Sequence, residues 1–137
     1  MPGCQALPCP AVPPRLLLAY RRTHYLVAGI DVRIGCRCAA MDTLLARHGA
    51  RFGVFVTAWN PLSRRMPEGW NRRMQRRLAE WLRGGVVLPA AGTLWRWCEA
   101  HVLTMRHPRW TARLAVRFRQ RGIVVVQRGR AARLVML

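Results

Sequence analysis

Lysine is absent from this 137-residue chain, and acidic residues are scarce. All 24 basic residues are arginine, only five residues are acidic, and the formal net charge is +19. Without lysine the chain can form neither a Walker-type phosphate loop nor a Schiff base. Nuclease sites that need a lysine beside two carboxylates are excluded for the same reason, and two-metal carboxylate sites are disfavoured by the few acids.

Serine is nearly absent as well. Ser63 is the only serine, and it lies in no Gly-x-Ser-x-Gly motif, so a serine hydrolase triad is disfavoured. The five cysteines lack the Cys-x2-Cys spacing of common zinc sites, and the four histidines share no metal-type spacing. These residues are Cys4, Cys9, Cys36, Cys38 and Cys98, with His24, His48, His101 and His107. We therefore predict no metal and no cofactor.

The charge imbalance has two interpretations. A GC-rich genome would explain arginine in place of lysine, but it would not explain the missing acids, whose codons can also end in G or C. A chain with this excess of positive charge creates a field that attracts polyanions. Composition therefore leaves both a compositional bias and a nucleic-acid role open.

The chain length fits one domain with a single core. Its apolar runs are interrupted by arginine before they reach the ~20 residues of a membrane span. Residues 1–14 contain five prolines and no basic residue, which predicts a disordered proline-rich leader rather than a secretion signal. We expect one domain over 15–137, in the cytoplasm, with mostly reduced cysteines.

Apolar periodicity and breaker residues predict four helices and seven strands. The predicted helices are 15–22, 41–48, 67–83 and one that begins at Pro108, and the predicted strands are 25–27, 32–34, 52–58, 86–88, 101–105, 123–126 and 133–137. The apolar residues of 52–58 do not alternate with polar ones, so this strand should be central and covered on both faces. The order favours an α/β or α+β single-domain layered sandwich, with a mixed, partly antiparallel sheet flanked by helices.

Two helices carry rows of arginine opposite their apolar faces. In the first helix the predicted core face is Trp70, Met74, Leu78, Trp81 and Leu82; in the second it is Trp110, Leu114 and Phe118. The arginines on the opposite sides are Arg72, Arg73, Arg76 and Arg77, and then Arg109, Arg113 and Arg117. We predict that these seven arginines face solvent and are available to phosphate groups.

A polar cluster follows the central strand. Thr57, Trp59, Asn60 and Ser63 supply two hydroxyls, an indole and an amide, and Arg64 comes next. In α/β sheets ligands bind where strands end in loops, so these residues form a candidate site for a small anion. The alternative is structural, with an Asx turn at Asn60 and Trp59 packed into the core.

Three further polar residues belong to the same hypothesis. Asn71 and Gln75 lie one turn apart on the following helix and are expected to reach back to Asn60, either as ligand contacts or as an internal amide network. Glu99 is an acid between tryptophans beside a predicted strand, which makes it the candidate general base. Its alternative role is an ion pair with arginine.

The block Thr57-Ala58-Trp59-Asn60-Pro61-Leu62-Ser63, followed by Glu68 and the segment 71–78, resembles the signature of a bacterial family catalogued as domain of unknown function 3293. Looser similarities lie in the Tyr-Arg segment at Tyr20, in 33–35, at Trp97 with Glu99, and in Phe118-Arg119-Gln120. The family has no assigned activity, so the resemblance implies no reaction. The proline-rich leader and the high arginine content depart from the family pattern.

Three functions therefore remain as hypotheses. The leading one is binding of an RNA or DNA backbone by the arginine faces, without base-specific chemistry. The second is an enzyme or sensor for a small anionic metabolite at the Thr-Ala-Trp-Asn-Pro loop. The third is an interaction module for an acidic protein partner.

Overall fold

The structure is a computed structural model, and it describes residues 12–137. Four helices are present: α1 (Pro14–Arg22), α2 (Ala39–Arg47), α3 (Glu68–Trp81) and α4 (Pro108–Arg117). The seven strands are β1 (His24–Val27), β2 (Ile30–Val32), β3 (Phe52–Val56), β4 (Val87–Leu94), β5 (Trp97–Thr104), β6 (Gly122–Gln127) and β7 (Arg133–Met136). None of the helices in this described part is long and apolar enough to cross a membrane.

All seven strands form one sheet, in the order β2-β1-β4-β5-β3-β6-β7. Every pair of neighbouring strands is antiparallel. The fold is therefore of the mixed α+β class, and the expectation of a mixed, partly antiparallel sheet is wrong. The four helices are not crossovers between parallel neighbours, because no strand pair in the described chain needs one.

The sheet curves into a half-barrel whose two edges meet at one point. Just after β2, Ile34 forms an isolated parallel bridge with Ala132, which precedes β7. The Gly35 amide donates to the Ala132 carbonyl oxygen at 2.7 Å, and the Ala132 amide donates to the Cys36 carbonyl oxygen at 3.1 Å. These bonds tie the first hairpin to the last strand.

Helices cover both faces of the sheet. On one face, which we call the α3–α4 face, Leu78 and Leu114 pack against Val54 and Val56 of β3. On the other, which we call the cavity face, Leu45 of α2 belongs to a cluster whose sheet members include Tyr25, Phe55, Leu103 and Val124. Residues 53–58 are buried, and β3 lies between β5 and β6, so the prediction of a central strand covered on both faces is confirmed.

The longest hairpin was only partly predicted. Strands β4 and β5 have eight residues each and pair from Val87 with Thr104 to Leu94 with Trp97. Short strands at 86–88 and 101–105 were expected, with Gly92 and the stretch 95–97 between them. A proline such as Pro89 is disfavoured in a central strand. In the structure β1 pairs only as far as Ala90, so Pro89 has a neighbouring strand on one side only.

Two details at helix boundaries differ from expectation. Pro14 is the first residue of α1, so this helix begins one residue earlier than predicted, within the predicted leader 1–14. Residues 1–11 of that leader lie outside the described part. Trp81 and Trp110 were assigned to the core faces of α3 and α4, but they are 49% and 37% exposed. Trp81 lies at the last turn of α3, beneath the guanidinium of Arg117, whose Cζ is 4.6 Å from the ring centroid. Trp110 lies in the first turn of α4.

Candidate functional site

A cavity of about 330 Å³ lies on the cavity face, beside α1 and the loop that follows β3. This volume is within the usual range of small-ligand sites. Its walls come from distant parts of the chain: Leu16, Ala19, Tyr20, Thr23, Tyr25, Phe55, Thr57, Trp59, Asn60, Ser63, Gly92, Leu94, Trp97, Glu99, His101, Gln120, Arg121, Gly122, Ile123 and Val124. The lining combines five aromatic side chains with a carboxylate, an imidazole and a guanidinium.

The loop after β3 has an unusual backbone. Asn60 has φ 47° and ψ 64°, Leu62 has φ 52°, and Ser63 has φ 60°, all in the left-handed region. Asparagine adopts this conformation more readily than other non-glycine residues. Leu62 and Ser63 belong to a short, irregular 3-10 turn over Pro61–Ser63, and the Leu62 amide donates to the Arg119 carbonyl oxygen at 2.7 Å. The loop is thereby fixed against the segment before β6.

Asn60 and Asn71 are joined by reciprocal hydrogen bonds. The Asn60 amide donates to Asn71 Oδ1, and Asn71 Nδ2 donates to Asn60 Oδ1, both at 3.0 Å. Asn60 Oδ1 also accepts from the Met66 amide at 2.9 Å. Because both asparagines are buried, these bonds satisfy groups that would otherwise lack partners.

Glu99 extends this network into the cavity. Asn60 Nδ2 donates to Glu99 Oε1 at 2.7 Å, the short distance of a charge-assisted hydrogen bond. The structure shows no ion pair between Glu99 and any arginine of the described residues. The hydrogen bonds from Asn71 to Asn60 and from Asn60 to Glu99 therefore hold the Glu99 carboxylate in place.

Two other side chains fix the same junction. Thr57 Oγ1 donates to the Ala100 carbonyl oxygen at 2.6 Å and accepts from the Trp59 amide at 3.0 Å. Gln120 Nε2 donates to the Trp59 carbonyl oxygen at 3.1 Å. Gln75, expected to reach Asn60, instead accepts from the Ala58 amide at 2.9 Å, because it lies one helical turn beyond Asn71, beside the end of β3.

His101 lies two residues after Glu99 on the same face of β5. Its Nδ1 is 3.2 Å from the Glu99 carbonyl oxygen, and its ring packs edge-on against Tyr25 at 5.7 Å between centroids. Burial lowers the pKa of His101, although the hydrogen bond to the Glu99 backbone and the Glu99 charge oppose that effect. Burial therefore favours the neutral imidazole of His101.

Two tyrosines complete the wall near Glu99. Burial, reinforced by the Glu99 charge and opposed by Arg121, raises the pKa of Tyr20 to about 12. Burial and the neighbouring Tyr20 also raise the pKa of Tyr25. Both phenols remain protonated over the physiological range and keep an O–H group that can donate.

Two buried donors at the cavity have no partner within residues 12–137. They are the indole Nε1 of Trp59 and the Nε of Arg121. Unpaired buried donors are uncommon in proteins, and each calls for a specific explanation, such as a bound molecule. Both residues line the cavity.

The structure brings together five of the predicted site residues around the cavity: Thr57, Trp59, Asn60, Ser63 and Glu99. Arg64 and Asn71 do not line it. Arg64 is exposed outside the cavity, and Asn71 is buried behind Asn60. Sequence reasoning did not predict five further residues of the cavity wall: Tyr20, Tyr25, His101, Gln120 and Arg121. Within the described chain, no three His, Cys, Asp or Glu side chains lie close enough together to hold a metal ion.

The seven predicted arginines of α3 and α4 are all exposed. Both helices pack on the α3–α4 face, and a groove between them is lined by Met74, Arg77, Glu80, Trp81, Arg117 and Phe118. Of the seven, Arg72 pairs with an acid, Glu68, at 2.6 Å one turn earlier. The rows are thus on the side of the sheet opposite the cavity.

Comparison with known families gives one match. Residues 56–123 match a family described as "Protein of unknown function (DUF3293)". No curated protein and no solved structure matches the chain. The matched range contains the loop after β3, Glu99, His101 and Gln120, but it does not include the looser similarities at Tyr20 and 33–35. The expected resemblance is confirmed: residues 56–123 match the DUF3293 family of proteins of unknown function.

Proposed function

We propose that this is a cytoplasmic protein that binds one small molecule in the cavity beside β3, as an enzyme or as a sensor. The observation that carries the proposal is the convergence of separate segments on that cavity. The loop after β3, Glu99 and Gln120 are far apart in the chain and line one space. A purely structural turn at Asn60 would not require a cavity of about 330 Å³ next to it.

The lining defines the chemistry of the ligand. Aromatic rings form much of the wall, so the body of the ligand is apolar or planar. Glu99 is held by Asn60 and offers a carboxylate to a hydrogen-bond donor. Arg121, with its unpaired Nε, offers a guanidinium to an anionic group. The ligand that fits is a small molecule with an apolar body, a donor group and an anionic group.

If the protein is an enzyme, Glu99 is our candidate general base. It lines the cavity, and its position is fixed by a hydrogen bond at 2.7 Å, as proton transfer at a defined atom requires. Neutral His101 lies on the same strand face and is a second candidate for accepting a proton. A sensor would use the same contacts without turnover.

The cavity proposal is tested by filling the space. Ala19 of α1 lines the cavity, whereas Ala46 of α2 is exposed. We would screen small aromatic carboxylates and phosphates for a rise in the melting temperature of the wild type, Ala19→Phe and Ala46→Phe. A ligand at 100 times its Kd stabilises the folded state by about 2.7 kcal/mol.

The expected result is a rise for the wild type and for Ala46→Phe, and none for Ala19→Phe. If no compound stabilises the wild type, or if Ala19→Phe responds as the wild type does, the cavity proposal is wrong.

A second candidate function is binding of an RNA or DNA backbone on the α3–α4 face. The specific observation is that seven exposed arginines on two helices lie on one side of the sheet, with Arg77 and Arg117 on opposite walls of one groove. Several exposed guanidinium groups on one face can contact several phosphates of a nucleic-acid backbone. This function uses charge and does not read base sequence.

Salt dependence tests this second candidate. If about five phosphates are contacted, log affinity for duplex DNA should fall with log salt at a slope of about −4 to −5. Replacing Arg72, Arg73, Arg76 and Arg77 by glutamine should flatten the slope by several units. The matched control, glutamine at Arg15, Arg21, Arg22 and Arg33, removes the same charge from other exposed positions and should change the slope less. Equal effects of the two variants would mean that net charge, not this face, drives binding.

A further inference from the structure

The tip of the β4–β5 hairpin carries an unusual group of exposed side chains. Leu94 pairs with Trp97, so Trp95 and Arg96 form a two-residue turn. Trp95 is 93% exposed and Trp97 is 44% exposed. The guanidinium carbon of Arg65 lies 5.9 Å from the centroid of the Trp97 ring. We refer to Arg65, Trp95, Arg96 and Trp97 as the tip cluster.

The turn itself does not explain why tryptophan is present. Trp95 has φ 54°, in the left-handed region that favours glycine at the first central position of such a turn. Its ring is almost wholly in solvent, so packing within the protein does not compensate for the backbone strain. Strained residues of this kind gather at binding sites, where the side chain meets a partner.

The chemistry of the tip cluster identifies the partner. Two exposed indoles offer flat faces for stacking, and the guanidinium groups beside them offer both charge and a second planar surface. Planar bases stack on such aromatic and arginine surfaces, while phosphates pair with the guanidinium groups. The net charge of +19 favours a polyanion over an acidic patch of limited extent.

We propose that the tip cluster is a binding site for single-stranded nucleic acid, in which a base stacks on Trp95 and neighbouring phosphates contact Arg65 and Arg96. Arg65 lies three residues before α3, so the tip cluster continues toward the arginine row on that helix. A duplex offers no unstacked base to Trp95, and single strands therefore bind more tightly at the tip. Trp97 also lines the cavity, but Arg65, Trp95 and Arg96 do not, so a change at Trp95 tests the tip without altering the cavity wall.

The test compares a labelled twelve-nucleotide oligo-dT with a duplex of the same length by fluorescence anisotropy. Trp95→Gly removes the indole and suits the positive φ. We expect it to weaken binding of the single strand by roughly 5- to 150-fold, the range for loss of one stacked base. The salt slope should stay unchanged, because no phosphate contact is removed. Affinity for the duplex should also stay unchanged.

Trp110→Leu is the matched control. Trp110 is also exposed, and its ring carries the guanidinium of Arg106 at 4.6 Å, but it lies at the start of α4, which follows the far end of β5. Because Trp110 lies on the α3–α4 face and not at the tip, this variant should weaken single-strand binding much less than Trp95→Gly does. Melting temperatures of both variants establish that they are folded.

Three results would overturn the proposal. The first is no binding of the oligonucleotide by the wild type at low salt, and the second is equal single-strand affinity for wild type and Trp95→Gly. The third is binding to phosphatidylglycerol vesicles that depends on Trp95 without binding to the oligonucleotide, which would assign the tip to a membrane surface. The test is independent of the fourfold glutamine variant on α3. That variant is expected to change the salt slope, whereas Trp95→Gly is expected to change the single-strand affinity at a constant slope.

Discussion

The imidazole of His101 lies directly over Gly92, in the space that a side chain at position 92 would occupy. A Cβ built on Gly92 would be 2.8 Å from His101 Cε1 and 3.2 Å from His101 Nδ1. Both residues line the cavity. The missing side chain of Gly92 therefore allows the ring of His101 to pack into the wall beside Glu99.

This contact predicts opposite effects for two glycine substitutions. Gly92→Ala should destabilise the fold by about 1–3 kcal/mol, the usual cost of overpacking a well-packed site. Gly69→Ala, in α3, meets nothing within 4 Å and should stabilise the helix by about 0.5–1 kcal/mol. Urea unfolding of both variants measures the difference. If Gly92→Ala leaves the free energy of unfolding unchanged, the ring of His101 moves aside freely.

The lowered pKa of His101 predicts a pH dependence of stability. In the unfolded chain the imidazole has its ordinary pKa of 6.5, so below that pH the unfolded state binds a proton that the folded state resists. Stability should be unaffected by this group above pH 6.5 and should decrease as the pH falls from 6.5 toward the lowered folded-state pKa. The slope attributable to one group is at most about 1.4 kcal/mol per pH unit.

The measurement is the free energy of unfolding between pH 7.5 and 5 for the wild type and His101→Phe. The variant should lose this part of the slope. His48→Phe, at an exposed position, is the control and should keep it. A wild-type slope that persists in His101→Phe would assign the pH dependence to another group.

Asn60→Ala should be among the most destabilising single changes in the loop after β3. It removes the partner of the Met66 amide, of Asn71 Nδ2 and of Glu99 Oε1, and it places alanine at φ 47°. Leaving such groups unpaired should cost about 3 kcal/mol or more in total. Asn60→Gly loses the same hydrogen bonds but avoids the backbone strain. It should therefore be about 1 kcal/mol more stable than Asn60→Ala. Equal losses would mean that the backbone at residue 60 relaxes.

Glu99→Gln separates binding from folding. The glutamine side chain can still accept the hydrogen bond from Asn60 Nδ2, and no arginine loses an ion-pair partner in the described structure. Stability should therefore change by about 1 kcal/mol or less. Ligand-induced stabilisation should be lost, because the cavity no longer holds a carboxylate. A large loss of stability would show instead that Glu99 compensates a buried positive charge.

Local patterns in the sequence were sufficient for most of the elements and for one part of the site. The helical spacing of Leu78 and Leu82 and the unbroken apolar run of β3 predicted where these elements lie. Thr57, Asn60 and Ser63 could be grouped because they are neighbours in one loop. The contact between Asn60 and Asn71 could be anticipated because only a short connection separates their elements.

What local patterns could not supply was the pairing of distant strands. Whether neighbouring strands run parallel or antiparallel depends on pairings such as that of β1 with β4. These two strands are too far apart in the sequence for a short segment to contain both. The full length of β5 was hidden by a turn at Trp95 that has neither glycine nor asparagine. Once 97–104 is known to be a strand, its alternation places Glu99 and His101 on one face, and this is the signal that could have identified His101.

The bridge between Ile34 and Ala132 has a consequence for the order of folding. Most of the described chain lies between these two residues, so their contact closes a very large loop and requires the intervening strands to be in place first. During synthesis the half-barrel therefore cannot close until β7 emerges. The loop after β3 and Glu99, by contrast, can meet as soon as β5 is made, so the amide network at Asn60 can form before the two edges of the sheet are joined.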